Sequence, residues 1–300
     1  MVFLERNTVW NWTQSVYLAP APFNRLVVVQ SCDAFLVSDE LRACYIWRKQ
    51  DGSFVRTKLF GRGVESIGSL TLDGVDLLLI GFSDGELSLL SAQDARIYWT
   101  VKIGDAPICD LTISAEIGCV FVRCGVDVVK RFDLQSRSVV WSNETEFYTC
   151  SLFWNGFLVC GGWESLWLVD VKSGLKSRTI IGDMAVHALA GGRNEELYFA
   201  SESVLFRWSE DQGLKRIESD QEVESVAIAS NGTVVVGLAD GRLGVVESER
   251  IKTIENMRPH FQAITELSIP SSGKIFTGSP DCRIGVWKNL NCIDVQAAGS

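Results

Sequence analysis

The chain has 300 residues, of which 47% are hydrophobic and 22% charged, with a net charge of −9. These are the proportions of a folded globular protein without a disordered linker, and the negative balance, with no Lys/Arg run interleaved with aromatics, argues against direct nucleic-acid binding. The longest apolar stretches, such as Val75 to Phe82, are far too short to span a bilayer, and residues 1–20 carry Glu5 and Arg6 with no secretory apolar core, so a soluble cytoplasmic or nuclear protein is expected.

The chain is built of short β-branched and aromatic runs broken by Gly, Asn, Asp and Ser, and it repeats. An apolar run ends in a bulky residue at Trp47, Leu90, Phe132, Val169, Trp208, Val246 and Trp287, at spacings of 43, 42, 37, 39, 38 and 41. A period averaging 40, without helical periodicity, is what the four-stranded blades of a propeller need. The expected fold is therefore all-β: a single closed seven-bladed β-propeller of four-stranded antiparallel blades.

In chain order, residues 1–20 come first, and Ser15 to Ala19 are expected to supply the outer strand of the last blade, because a closed ring leaves no free sheet edge. Cys292 to Gln296 are the rival for that place. The blades are expected at about 25–60, 64–104, 106–145, 147–184, 185–220, 222–257 and 263–300. Each opens with a strand whose apolar residues fall at relative positions one, four and six, as in Ile108, Leu111 and Ile113, or Val223, Val226 and Ile228, or Ile264, Leu267 and Ile269. Second strands with their turns follow at residues 77–85, 157–164, 196–203, 233–241 and 274–282. Alternation within each run offers side chains to both neighbouring blades.

Nine cysteines, with no C-x-x-C pair, lie mostly inside apolar runs (Cys119, Cys124, Cys150, Cys160) and read as small core residues of a reducing compartment. A Cys150–Cys160 bridge between neighbouring strands is the alternative. Asn11, Asn143 and Asn231 open Asn-X-Thr triplets, a short pattern that chance supplies.

The last unit carries a specific resemblance. His260-Phe-Gln-Ala-Ile-Thr-Glu-Leu-Ser-Ile, then Lys274-Ile-Phe-Thr-Gly-Ser-Pro-Asp, then Arg283-Ile-Gly-Val-Trp-Lys resembles a WD repeat nearly residue for residue. The first unit echoes it with Ile46-Trp47 followed by Asp51-Gly52, and units two and six keep an Asp-Gly turn at Asp84-Gly85 and Asp240-Gly241. Elsewhere Trp163, Glu202 and Val126 stand at that turn. The resemblance to the WD-repeat family implies a hydrogen-bonded structural tetrad in blade seven, carried by His260, Ser279 (or Thr277), Asp281 and Trp287. On that reading His260 and Asp281 form a buried buttress and not an acid/base pair. The stretches around Asp94–Trp99 and Asp133–Trp141 also resemble repeats of quinoprotein-like propellers, and serve equally well as third-to-fourth-strand hairpins.

Catalytic chemistry finds few candidates. Two histidines, His187 and His260, exclude a multi-histidine metal site and leave almost nothing for a serine-type triad. Gly161-Gly162 and Gly191-Gly192 lack the Lys-Ser/Thr and helix of a phosphate loop. The acids at Glu195-Glu196 and Glu218 to Glu224 sit in polar loop sequence where nothing separates their pKa values, though the second group could attract a basic partner. No catalytic residue, cofactor or metal is assigned.

Binding is expected on loops, which a rigid scaffold lets vary. Loops entering each first strand and turns between second and third strands converge on one face, and their aromatic and Arg residues are the candidates: Arg62, Phe147, Tyr148, Trp163, Arg258 and Phe261. Packing between blades is the plain alternative for half of them. The expected function is a non-catalytic protein–protein interaction scaffold, a subunit of an intracellular complex that binds peptides or domains through these loops, with no membrane or small-molecule substrate. A reader of ubiquitin or of a phosphorylated segment, and a propeller enzyme, are the alternatives.

Overall fold

Alternation along the second strand of each unit sets the architecture. In Val75–Phe82, Leu78 and Ile80 point one way and Leu77 and Leu79 the other, and all four are buried. The first pair packs against the first blade and the second pair against the third. A strand apolar on both faces must lie between two sheets. Repeated around the chain, this gives a ring.

The computed structural model describes residues 12–18, 23–29, 34–51, 53–61, 63–192, 195–201, 204–254, 258, 260–270 and 272–289. They form seven four-stranded antiparallel sheets. Six are sequential meanders, at residues 23–60, 64–102, 108–144, 148–182, 186–217 and 223–253. The seventh consists of Glu266–Ser268, Ile275–Ser279 and Arg283–Asn289, with Trp12–Leu18 as its fourth strand, paired antiparallel to Arg283–Asn289. This is a closed seven-bladed β-propeller. The rival closing segment, Cys292 to Gln296, lies outside the described residues.

One hydrophobic cluster fills each of the seven interfaces between consecutive blades, including that between the last and the first, where Phe276 and Ile284 meet Phe35, Val37 and Trp47. The bulky residues that carry the repeat all lie on third strands, and six of the seven are buried, with Val246 packed partly buried against its cluster. Burial of this kind contributes about 1.5–3 kcal/mol for each large apolar side chain.

The one-four-six pattern of the first strands has a cause. In blades one to six the register slips after the first residue, at Phe23/Arg25, Val64/Ser66, Ile108/Asp110, Tyr148/Cys150, Val186/Ala188 and Val223/Ser225. Such a bulge re-aims the side chains that follow it. Several then stitch one blade to the next through the carbonyl of its leading apolar residue. Ser66 Oγ donates to Ile108 O at 2.6 Å, Ser225 Oγ to Ile264 O at 2.5 Å, and His187 Nε2, on an exposed side chain, meets Val223 O at 3.0 Å.

The cysteines are unbridged among the described residues. Cys150 and Cys160 do lie on paired strands, but Cys160 faces blade three and Cys150 faces blade five. A bridge between them is corrected by the pleat itself. Burial pushes the Cys150 thiol up to about 12, far from the thiolate needed for exchange. Asp94 and Asp133 fall at turns between third and fourth strands, so the two quinoprotein-like stretches are hairpins.

Candidate functional site

Blade seven holds its loop by four side chains. Trp287 Nε1 donates to Thr277 Oγ1 at 3.3 Å, Thr277 Oγ1 and His260 Nε2 are 2.8 Å apart, and His260 Nδ1 lies 3.1 Å from Asp281 Oδ1. A carboxylate can only accept, so Nδ1 carries the proton and Nε2 accepts from the threonine. Burial holds His260 below its ordinary pKa against the opposing pull of Asp281, which keeps the imidazole neutral. Asp281 also accepts from the backbone N–H of Phe261 and of Arg283, both at 2.9 Å.

Thr277, not Ser279, is the hydroxyl of this chain. Thr277 stands opposite Gly285, and the indole of Trp287 folds over that glycine, where a Cβ would collide with both Thr277 Oγ1 and the indole nitrogen. Ser279 stands opposite Arg283, two pairs further along, and its Oγ accepts from Asp281 N at 3.3 Å. Every polar atom of the group is occupied by a neighbour, so it braces the loop and offers no free base.

The central channel is lined by first strands and contains a cavity of about 370 Å³. Across it, Arg25 Nη2 donates to Asp110 Oδ1 at 3.1 Å, Ser151 Oγ donates to Asp110 Oδ2 at 2.6 Å, and Thr112 bonds Ser151. Glu266 lines the same space, and burial pushes its carboxyl up to about 7 despite the nearby Arg25. Sequence reasoning missed this group, although a signal exists. Arg25, Asp110 and Glu266 each stand two residues after the leading apolar residue of a first strand, and at Arg25 and Asp110 this is the residue just past the bulge. Among the described residues no group of three or more His, Cys, Asp or Glu side chains could hold a metal ion.

The loop face is different in character. Backbone bonds join several second-to-third-strand turns to a neighbouring entry loop, as in Ser83 N to Gly63 O, Gly125 N to Pro107 O and Met184 N to Glu164 O. On this face stand Leu41, Trp163, Phe261 and Val126, which are 73%, 70%, 69% and 62% exposed and belong to the most exposed large apolar side chains of the described protein. Phe147 lies edge-on to Trp163 with ring centroids 5.3 Å apart. Arg283 covers one face of Phe261 at 4.0 Å, and Arg258 is exposed.

Tyr148 does not belong to this surface. The entry loop ends at Phe147, and the next residue begins the strand Tyr148–Trp154, whose pleat turns the ring into the interface with blade three, 1% exposed and against Trp167. It is a core residue. Arg62 lies outside the described residues.

The class that this fold defines is the seven-bladed β-propeller with the architecture of WD40 domains. More particularly, the chain is similar to the WD40 β-propeller domain of Doa1, with a TM-score of 0.72 at 16% identity over 92% of this chain and 95% of that one. It is equally similar to a chain in the crystal structure of the mitotic checkpoint complex, with a TM-score of 0.75 at 16% identity over 96% and 95%. No protein-family model matches the sequence, and no curated protein does.

Proposed function

We propose that this protein is a non-catalytic scaffold that docks other proteins on its loop face inside an intracellular multiprotein complex. The observation that carries the reading is that four of the five most exposed large apolar side chains of the described protein, Leu41, Trp163, Phe261 and Val126, stand on that one face. Scattered apolar residues are ordinary on a surface, whereas clustered rigid aromatic ones mark contact sites. Arg25 and Asp110 in the channel, and His260 and Asp281 in blade seven, are spent on bracing, and one of the similar solved chains belongs to a multiprotein assembly.

A reader of phosphorylated segments finds less support. Phosphate capture needs converging free Arg or Lys. Among the described residues of these loops the cations are Arg42, Arg242 and Arg258. Arg42 pairs with Glu65 at 2.6 Å, Arg242 with Asp240 at 2.5 Å, and Arg258 donates to Asp240 O at 3.1 Å.

Affinity capture from a native extract with the wild-type chain and with a Leu41→Ala/Trp163→Ala/Phe261→Ala variant tests the reading. The variant is expected to keep its melting temperature within a few degrees and lose partners. Retention of every partner would move the docking surface elsewhere, and turnover of a substrate by the purified chain would overturn the non-catalytic reading.

A further inference from the structure

Trp163 is not a loose side chain on a mobile tip. Phe147 supports it edge-on at 5.3 Å, the Arg123 guanidinium lies 5.5 Å from the Phe147 ring and 5.1 Å from that of Tyr148, and Tyr148 packs on buried Trp167. A chain of contacts, two ring pairs bridged by the Arg123 guanidinium, thus runs from the core to an indole that is 70% exposed. An aromatic held this way loses little entropy on contact, which is the property of an interface anchor.

Its surroundings are acidic. Glu164 follows it in the turn, and Met184 N bonds Glu164 O, which brings Asp183 alongside. Thr145 N bonds Asp127 O, which sets Asp127 beside the same entry loop as Phe147. Glu164, Asp183 and Asp127 are exposed and make no ion pair among the described residues, whereas Glu146 on the same rim is held by Lys176 at 2.7 Å. An exposed π-face beside unpaired carboxylates attracts a cation twice, through the ring quadrupole and through charge.

We infer that the Trp163 ledge docks a basic segment of a partner protein, one Lys or Arg side chain lying on the indole while its neighbours meet Glu164, Asp183 and Asp127. This rests on the scaffold reading above and names the chemistry of the partner. The two cations at this rim are engaged, Lys176 by Glu146 at 2.7 Å and the half-buried Arg123 by the rings of Phe147 and Tyr148, which leaves the three carboxylates to meet the segment.

The test is an array of random linear peptides with neutral end groups, probed with the purified full chain at about 0.15 M salt, where charges beyond a Debye length of ~8 Å are screened. Retained peptides should be rich in Lys and Arg. Trp163→Ala should weaken them about tenfold. Glu164→Gln/Asp183→Asn should weaken them severalfold and flatten the dependence on salt, with melting unchanged in both variants. Neutral, acidic or phosphorylated peptides that are nevertheless lost in Trp163→Ala would overturn the basic partner while leaving the loop face as the docking surface. Peptides held equally by all three proteins would overturn both. A blank array would overturn the linear basic segment, and the capture experiment would still decide the scaffold reading.

Discussion

Arg25 and Asp110 meet at 3.1 Å across the central channel although 85 positions and a whole blade separate them in the chain. Asp110 is further fixed by Ser151, so blades one, three and four, which are separate sheets, share one polar node. Exchange of Asp110 for Asn and of Arg25 for Met, singly and together, should give a double-mutant coupling of about 1 kcal/mol by denaturant unfolding. The figure is modest because 37% of the Arg25 side chain remains in contact with solvent, which screens the pair. Additive effects would show that the pair does not tie the ring.

Blade seven makes a sharper distinction. Thr277→Val removes the hydroxyl that serves both His260 and Trp287 and should cost about 1–3 kcal/mol, because two buried groups lose their partner. Ser279→Ala removes one long bond and should cost less than about 1 kcal/mol. The order of the two in thermal melts tests which hydroxyl matters.

Neighbouring aromatics in blade four should part company. Tyr148→Ala empties a fully buried site and should cost about 3–5 kcal/mol, while Trp163→Ala should stay within ~0.5 kcal/mol of wild type. Circular dichroism melts of the two variants suffice.

Two titrations act in opposite senses. Glu266, raised to about 7, binds its proton more tightly folded than unfolded, so its contribution is complete below the ordinary carboxyl range and lost as pH rises through 7. His260, held below its ordinary value, contributes fully above about 6.5 and less as pH falls. Glu266→Gln keeps the acceptor for Leu26 N without the charge. It should therefore leave stability unchanged near pH 4 and raise it by about 1–3 kcal/mol at pH 8, read from urea midpoints at both pH values.

At the turns, chain geometry gives a further test. Gly241 takes φ 84°, and a Cβ there would press on the carbonyl of His260. The same place in blade seven is held by Cys282 at φ 64°, a left-handed conformation that costs a residue with a Cβ about 1 kcal/mol. Gly241→Ala should destabilise by more than about 1 kcal/mol, and Cys282→Gly should be neutral or stabilising, in the same melting assay.

What could be read in advance follows from which interactions are local. Trp47 to Trp287 declare the period because each must be buried at the same place in a repeated sheet, and the one-four-six spacing of Ile108, Leu111 and Ile113 is the footprint of a bulge. Local pattern could not choose between Thr277 and Ser279, which share a face of one strand and differ only in which reaches the indole folded over Gly285. It placed Tyr148 on the loop because the boundary falls one residue earlier, and a single step along a strand exchanges surface for core. The node of Arg25, Asp110 and Ser151 depends on closing the ring, so no window of sequence contains it.

The clasp of blade seven bears on how the protein is made. Trp12–Leu18 is made before all six intervening blades, yet its sheet partner among the described residues, Arg283–Asn289, is translated after them. At ~5–20 residues per second, that early strand waits on the order of tens of seconds with its edge unpaired. Throughout that interval the nascent chain is an open arc with raw edges at both ends, so its need for chaperone shelter is greatest just before Arg283–Asn289 emerges.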